Sequence, residues 1–275
     1  MSSVGKQIRM SKLFDQKSGK SVIIPLDHGL PMGPLVGLTN VSDTLGKIIA
    51  GGCDAVILTP GQVKGCAHFF HGRDSPSLIL RLDWTSMFRS TLPRSGGAHT
   101  LIASVSDAIG LGATAVITYL FIGYENDDLE SVNISNVAKI TREADRLGVP
   151  HVVEAMGRGP RIQGRETDLE VVKLAVRMAG EIGADMVKTD YTGSSDSFKE
   201  VVDSSPVPVL VAGGTKTQTP QQALLMVSQA MQAGAAGIFV GRNAFQASNP
   251  TAMVRALRLI VHEKATVDEA LRIVQ

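Results

Sequence analysis

A short pattern recurs four times along this chain: a helical segment closes with a glycine-containing turn, and a run of apolar residues follows directly. The turns are Gly51-Gly52 before residues 55–58, Gly112-Ala113 before residues 114–117, Gly183-Ala184 before residues 186–188, and Gly234-Ala235 before residues 237–240. A glycine at this place is typical of a left-handed helix C-cap, and the run after it is typical of a buried strand. The repetition predicts alternating helices and strands, with the strands parallel.

Weaker copies of the pattern bring the predicted strands to eight, at residues 21–27, 54–59, 77–83, 114–119, 150–156, 184–190, 207–212 and 236–240. Helical patterns fill most of the gaps, such as residues 168–182 and 220–233. The second of these starts with Thr219 as N-cap and Pro220 in the first turn. We therefore predict a (β/α)₈ TIM barrel. An open doubly wound sheet is the alternative, but no GxGxxG motif follows the first strand.

The composition fits one large α/β domain. Of the 275 residues, 44% are hydrophobic and 19% are charged, which is enough apolar material for a large core. No Pro/Gly/Ser-rich linker interrupts the pattern. We expect residues 1–275 to form a single barrel domain, with residues 1–20 as an N-terminal lead-in segment.

Charge and residue usage argue against several classes of partner. Aromatic residues make up 4% of the chain and the formal net charge is +1, so we expect no nucleic-acid partner and no membrane partner. The chain shows no signal-peptide pattern and no stretch of about 18 uninterrupted apolar residues. Cys53 and Cys66 are too few for a disulfide framework and lack metal-ligand spacing with the histidines. We expect a cytoplasmic protein that needs no metal and no cofactor.

The active site of such a barrel lies at the carboxyl ends of its strands, so the residues that end each strand are candidates for chemistry. The sixth predicted strand carries Lys188 within the largely apolar run 184–190. A lysine amine attacks a carbonyl only when it is unprotonated, and an apolar or cationic setting favours that form. Lys188 is therefore the candidate Schiff-base nucleophile. The alternative is a strand-end lysine whose ammonium simply reaches water.

Other strand ends supply groups that can move protons or hold a substrate. Asp27 ends the first strand, where it would face Lys188 across the barrel mouth and orient the amine or transfer protons. Glu154 on the fifth strand is a second proton-transfer candidate if its face points inward. His28 and Arg81 are candidates for substrate binding. The alternatives are capping for Asp27, an ion pair with Arg81 for Glu154, and packing at the turn for His28.

Glycine loops follow the seventh and eighth predicted strands. The first contains Gly213-Gly214 and Lys216, and the second contains Gly241-Arg242. Barrels commonly bind phosphate after these two strands, because glycines let backbone amides approach an anion and the next helix start favours negative charge. We expect a phosphorylated small-molecule substrate. The alternatives are a tight turn for the first loop and solvated side chains for Lys216 and Arg242.

Together these motifs resemble the class I, Schiff-base aldolases of the archaeal fructose-bisphosphate aldolase type, which are grouped with deoxyribose-phosphate aldolase. The resemblance runs from Lys12 to Glu263 and is densest at Asp27-His28-Gly29 with Gly33-Pro34, Val187-Lys188-Thr189 with Tyr191-Thr192-Gly193, Ala212-Gly213-Gly214 with Lys216-Thr217, and Val240-Gly241-Arg242-Asn243 with Phe245-Gln246. It implies that Lys188 forms the Schiff base, that Asp27 is its acidic partner, and that the glycine loops bind phosphate. It also implies a homo-oligomer, since members of this family often form decamers.

The resemblance implies that the enzyme makes or breaks a carbon–carbon bond in a ketose phosphate, with a donor such as dihydroxyacetone phosphate. The same family includes 2-amino-3,7-dideoxy-heptulosonate synthase, which performs a transaldolase-like reaction, and the autoinducer-2 phosphate thiolase, which transfers an acyl group. Both reactions are alternatives for this chain. A non-catalytic barrel that binds a phosphorylated metabolite is the third alternative.

The chain departs from the family pattern at two places. Fructose-bisphosphate members and the heptulosonate synthase carry Tyr-Pro-Arg-Gly after the fifth strand, and its tyrosine moves protons. This chain has Met156-Gly157-Arg158-Gly159 instead. Asp83-Trp84 also follows the third strand, where the family has small residues. We therefore expect an altered acceptor pocket and poor cleavage of fructose 1,6-bisphosphate.

Overall fold

Eight parallel strands close into a barrel in this computed structural model, which describes residues 3–89, 91–92 and 97–274. The strands of the structure are β1 (Ser21–Pro25), β2 (Ala55–Leu58), β3 (Ser77–Arg81), β4 (Asp83–Thr85), β5 (His99–Leu101), β6 (Ala115–Ile122), β7 (His151–Gly157), β8 (Met186–Thr189), β9 (Val209–Ala212) and β10 (Gly237–Phe239). The barrel order is β1-β2-β3-β6-β7-β8-β9-β10, and β10 pairs with β1. The predicted (β/α)₈ TIM barrel is confirmed.

Helices connect the strands and cover the barrel. The α-helices are α1 (Val4–Ser11), α2 (Gly29–Met32), α3 (Val41–Ala50), α4 (Pro60–Cys66), α5 (Val105–Gly110), α6 (Asp127–Leu147), α7 (Leu169–Ile182), α8 (Ser195–Ser204), α9 (Pro220–Gln232), α10 (Arg242–Phe245), α11 (Pro250–Glu263) and α12 (Val267–Val274), with 3₁₀ turns at Ala67–Phe70 and Pro160–Ile162. One apolar cluster fills the barrel interior and includes Ile23, Ile57 and Phe239. A larger cluster, which includes Val22 and Val172, lies between the strands and the helices.

The recurring glycines end their helices as the sequence predicts. Gly183 follows α7 with φ 105° in the left-handed conformation, which an L side chain rarely adopts. The corresponding glycines of the other three copies, Gly52, Gly112 and Gly234, also have positive φ. Thr219 caps α9, and its hydroxyl accepts from the Gln222 backbone in a capping box. The chain therefore reverses direction at the same place in each repeat.

The N-terminal lead-in segment is attached to the amino-terminal side of the barrel. Lys6 in α1 is buried and forms ion pairs with Asp145 in α6 and with Asp185 just before β8, the second at 2.8 Å. Leu13 is fully buried in the interior apolar cluster, and Phe14 packs against it. The segment therefore covers the end of the barrel opposite the predicted active site.

The third predicted strand, residues 77–83, is too long. The barrel strand β3 ends at Arg81, and Asp83 begins a separate antiparallel ribbon in which β4 pairs with β5. The carboxylate of Asp83 is buried and accepts hydrogen bonds from the Tyr119 backbone and from His99, both at 2.6 Å. These contacts hold the chain outside the barrel after Arg81. Within the described residues, no helix is long and apolar enough to cross a membrane.

Candidate active site

A cavity lies at the carboxyl ends of the barrel strands. Its empty volume, which includes the open mouth, is about 540 Å³. Nearly all of the predicted site residues line it: Asp27, His28, Arg81, Glu154, Lys188, Gly213, Gly214, Gly241 and Arg242. Six different barrel strands or their following loops supply these residues. The exception is Lys216, which is discussed below.

Lys188 lies on β8 with only 6% of its surface exposed. Its Nζ is 2.7 Å from Oε1 of Glu154 on the neighbouring strand β7, and the two residues are directly paired in the sheet register. The ammonium also lies 5.5 Å from the centroid of the Phe239 ring. The amine is therefore held inside the cavity rather than extended into water, as the alternative interpretation would require.

Arg81 is the centre of the charged cluster in this cavity. Its guanidinium contacts three carboxylates: Asp27 at 2.8 Å, Asp83 at 3.2 Å and Glu154 at 2.5 Å. The side chain is 1% exposed. Its Cζ also lies 3.7 Å above the centroid of the Tyr119 ring. Arg81 therefore orients the two carboxylates that line the cavity, and the ion pair with Glu154 that the sequence offered as an alternative is present.

Asp27 forms its ion pair with Arg81 rather than with the lysine. Its Oδ2 accepts from Nε of Arg81, and its Oδ1 is 3.8 Å from Nδ1 of His28. Among the described residues, no ion pair joins Asp27 to Lys188, whose direct acidic partner is Glu154. The physical reason is that the guanidinium of Arg81 lies between the carboxylates of Asp27 and Glu154 and forms the ion pair with Asp27. Asp27 remains in the cavity lining, where a bound substrate can contact it.

Glu154 stays ionised in this cluster. Burial alone would raise the pKa of its carboxyl, but the charges of Lys188 and Arg81 outweigh burial and lower the pKa to about 2. Both carboxylate oxygens are used, Oε1 by Lys188 and Oε2 by Arg81. The ionised carboxylate therefore holds the Lys188 amine in one place.

His28 packs beneath the second glycine loop. A Cβ atom on Gly241 would lie 2.4 Å from Cε1 of His28, so glycine is required at that position. The imidazole also contacts the edge of Phe245 at 5.2 Å between ring centroids. Burial lowers the pKa of His28 to about 4, although Asp27 partly opposes this shift. His28 is therefore neutral near pH 7 and adds no positive charge for a phosphate.

The two glycine loops offer backbone amides to the cavity. Gly213 is not one of the donors, because its N–H donates to the Phe239 carbonyl at 2.8 Å. Within the described part of the chain, no acceptor is recorded for the N–H groups of Gly214, Gly241 and Arg242. The Nε atom of Arg242 is buried without a hydrogen-bond partner. A bound anion would satisfy such donors.

Lys216 lies outside the cavity. Its side chain is exposed, and its Nζ donates to the Gln246 carbonyl at 2.8 Å. The residue lines a separate depression beside α9 and α12 instead. The alternative interpretation of Lys216, a residue without a role in phosphate binding, agrees with this geometry.

The cavity also contains residues that the sequence reasoning missed. Tyr119 and Phe88 line it, as do Arg158 and Asp190, whose side chains form an ion pair at 2.7 Å. Tyr119 is the last residue of the fourth predicted strand, so the rule that strand ends carry the chemistry identifies it. Phe88 follows the unpredicted ribbon strand β4, and no sequence signal places it in the cavity. Trp84, which the sequence suggested would alter the acceptor pocket, is not in the lining.

A family model for the DeoC/LacD aldolases matches residues 21–247, which spans the barrel and all of the cavity residues named above. The chain belongs to the DeoC/LacD aldolase family. An uncharacterized aldolase of Saccharolobus solfataricus is 41% identical over 99% of this chain and 100% of its own length. The 2-amino-3,7-dideoxy-D-threo-hept-6-ulosonate synthase of Halobacterium salinarum is 35% identical over 98% of this chain and 97% of its own length.

Solved structures of archaeal enzymes share the fold. An archaeal fructose 1,6-bisphosphate aldolase superposes with a TM-score of 0.81 at 32% identity, and covers 94% of this chain and 99% of its own. A second such structure, with a TM-score of 0.81, 31% identity and the same coverage, has its catalytic lysine covalently bound to the carbinolamine intermediate of its substrate. This DeoC/LacD family member is therefore an aldolase of the class I, Schiff-base type.

Proposed function

We propose that this DeoC/LacD aldolase makes or breaks a carbon–carbon bond in a ketose phosphate, with a donor of the dihydroxyacetone phosphate type, and that Lys188 forms the Schiff base. The observation that carries the proposal is the position of Lys188. No other lysine of the described residues lines the cavity, and the Lys188 amine contacts the carboxylate of Glu154. The similarity to the archaeal fructose 1,6-bisphosphate aldolase structures supports a phosphorylated ketose.

The first part of the reaction is the formation of the Schiff base. The Lys188 ammonium loses a proton, and the free amine attacks the ketone carbon of the donor. Loss of water from the carbinolamine gives an iminium. The iminium draws electrons from the neighbouring carbon, so a base can remove a proton there and form an enamine. Asp27 and Glu154, which both line the cavity, are the candidates for this base.

The phosphate group of the donor has a defined place in this scheme. The cavity that contains Lys188 is also lined by Gly214, Gly241 and Arg242. Within the described part of the chain, their backbone N–H groups and Nε of Arg242 have no hydrogen-bond partner. Burial and the nearby Arg158 lower the pKa of Arg242 from its usual value, yet an arginine stays charged near pH 7. A phosphate held there places the ketone of a three-carbon donor near the amine. We propose that these groups form the phosphate site.

Turnover measurements test this function. Dihydroxyacetone phosphate should react with a panel of aldehydes in wild type, whereas Lys188→Met should lose aldol turnover to background. Lys216→Met is the matched control, since it removes a lysine near the same loops but outside the cavity. We expect the control to keep turnover within about threefold of wild type. Equal activity of Lys188→Met and wild type would contradict the proposal.

The heptulosonate synthase reaction is a second candidate, favoured by the 35% identity to the Halobacterium salinarum enzyme. Both candidates use the same amine, and the acceptor tells them apart. The position of the family tyrosine holds Met156, and a missing general acid/base costs on the order of 10²–10⁴ in rate. We therefore expect poor cleavage of fructose 1,6-bisphosphate.

Turnover that depends on coenzyme A would instead favour acyl transfer, and phosphate-ligand binding without turnover would favour a non-catalytic barrel.

A further inference from the structure

Tyr119 occupies a place in the cavity that the proposed scheme leaves without a role. It lies on β6, is 4% exposed, and lines the cavity together with Lys188. The sheet register pairs Tyr119 with Glu154, and Glu154 with Lys188. The tyrosine is therefore one strand away from the carboxylate that holds the amine. Its ring lies flat against the guanidinium of Arg81, 3.7 Å from centroid to Cζ.

The other tyrosines of the chain cannot take this place. The sequence contains three tyrosines in all. The hydroxyl of Tyr191 donates to Gln229 at 3.0 Å, and the hydroxyl of Tyr124 is buried without a hydrogen-bond partner. Neither residue lines the cavity. Tyr119 is thus the one phenol that a substrate on Lys188 can meet, and it lies beside the strand on which Met156 replaces the family tyrosine.

We propose that the hydroxyl of Tyr119 is the acid that protonates the acceptor oxygen when the carbon–carbon bond forms. The inference rests on the proposed function, because it requires an enamine on Lys188. It assigns the proton transfer to β6, the strand that pairs with the Met156 strand.

The step balances in protons and electrons. The enamine carbon attacks the aldehyde carbon, so the new carbon–carbon bond forms while the carbonyl π bond breaks and its electron pair moves to oxygen. The phenol O–H breaks, its proton completes the alcohol, and a phenolate and an iminium on Lys188 remain. The proton that Glu154 or Asp27 removed from the donor carbon returns to the phenolate. Water then hydrolyses the iminium and releases the product.

The surroundings of Tyr119 suit this role. Burial raises the pKa of Tyr119 well above its usual value, and the carboxylates of Asp27, Glu154 and Asp83 add to the rise while Arg81 opposes it. The phenol therefore keeps its proton until an alkoxide of comparable basicity develops beside it. The guanidinium of Arg81 lies on the ring and stabilises the phenolate that results.

Three variants test the inference. Tyr119→Phe removes the hydroxyl but keeps an aromatic ring beneath Arg81, since phenylalanine also supports a cation–π contact. Tyr119→Leu removes both. Tyr124→Phe is the matched control, because it makes the same chemical change outside the cavity. Each variant is compared with wild type for aldol turnover of dihydroxyacetone phosphate with the aldehyde that wild type uses best. NMR in D₂O also measures exchange of the C3 proton of dihydroxyacetone phosphate without any aldehyde, and thermal unfolding checks the fold.

We expect Tyr119→Phe to lower kcat by on the order of 100-fold or more, with proton exchange and KM for dihydroxyacetone phosphate within about threefold of wild type. Tyr119→Leu should be no better than Tyr119→Phe, and Tyr124→Phe should match wild type. Turnover of Tyr119→Phe within about threefold of wild type would overturn the inference, as would a parallel loss of turnover and exchange. If either result occurs while wild type still exchanges the C3 proton, the proposed function stands and only the role of Tyr119 is overturned. If wild type does not exchange this proton, both the role of Tyr119 and the proposed function are overturned.

Discussion

Arg81 holds three carboxylates in a place where almost no solvent reaches. Removing a buried charge that several opposite charges depend on is costly, because the remaining charges are left without a partner. We expect Arg81→Met to lower the free energy of unfolding by about 3–5 kcal/mol, as measured by urea denaturation. Arg161→Met is the matched control, since Arg161 pairs with Asp127 on the surface at 2.7 Å, where both side chains are largely exposed. We expect the control to change stability by less than about 1 kcal/mol. Similar losses for both variants would contradict this account.

The neutral state of His28 makes stability depend on pH. Burial lowers the pKa of His28 to about 4 in the folded chain, whereas an unfolded histidine titrates near 6.5. Between these two pH values the unfolded state binds more protons than the folded state. The neutral His28 therefore contributes its full stabilisation above pH 6.5, and this contribution declines as the pH falls towards 4.

The His28→Asn variant tests this titration. We expect its free energy of unfolding to fall less steeply than that of wild type between pH 6.5 and pH 4, as followed by urea denaturation at several pH values. His151 contributes a similar fall in both proteins, since burial lowers its pKa to about 3. The variant is therefore predicted to keep part of the slope. Identical slopes for the two proteins would show that His28 does not resist protonation.

The end of helix α7 is a feature that the sequence predicts and the structure explains. Gly183 has φ 105°, and a Cβ atom there would lie 3.0 Å from Cγ2 of Thr141. We expect Gly183→Ala to destabilise the fold by about 1–3 kcal/mol in urea denaturation. Gly110→Ala is the control, because Gly110 is the last residue of α5 and its Cβ would meet nothing within 4 Å. The control should be neutral or more stable by up to about 1 kcal/mol. A larger loss for Gly110→Ala than for Gly183→Ala would contradict the C-cap assignment.

The ribbon of β4 and β5 shows where local patterns stop being sufficient. Residues 77–83 form one largely apolar run, and nothing in that run marks Arg81 as the end of the strand. The end depends on the bonds of Asp83 to His99 and to the Tyr119 backbone, which come from distant parts of the sequence. A tertiary contact thus ends the strand earlier than the local sequence predicts. Phe88, which follows this ribbon strand, lies in the cavity lining, so this part of the lining could not be predicted.

At the level of the whole barrel, parallel strands carry their last residues to one rim, whatever the distance between them in sequence. This rule alone brings Asp27, Glu154 and Lys188 into one cavity, and it also identifies Tyr119. The rule does not say which charges pair. Arg81 forms an ion pair with Asp27, and Lys188 forms one with Glu154. These pairs depend on side-chain lengths and positions that only the folded structure fixes. Assembly into a homo-oligomer such as a decamer stays a prediction.

The central claim is that Lys188 is the amine that becomes covalently attached to the substrate. Incubation with dihydroxyacetone phosphate and borohydride, followed by peptide mass spectrometry, tests it most directly, because reduction of an iminium leaves a stable adduct on the lysine that formed it. We predict one adduct, on the peptide that contains Lys188, and none in Lys188→Met. An adduct on another lysine, or equal labelling of Lys188→Met and wild type, would contradict the claim.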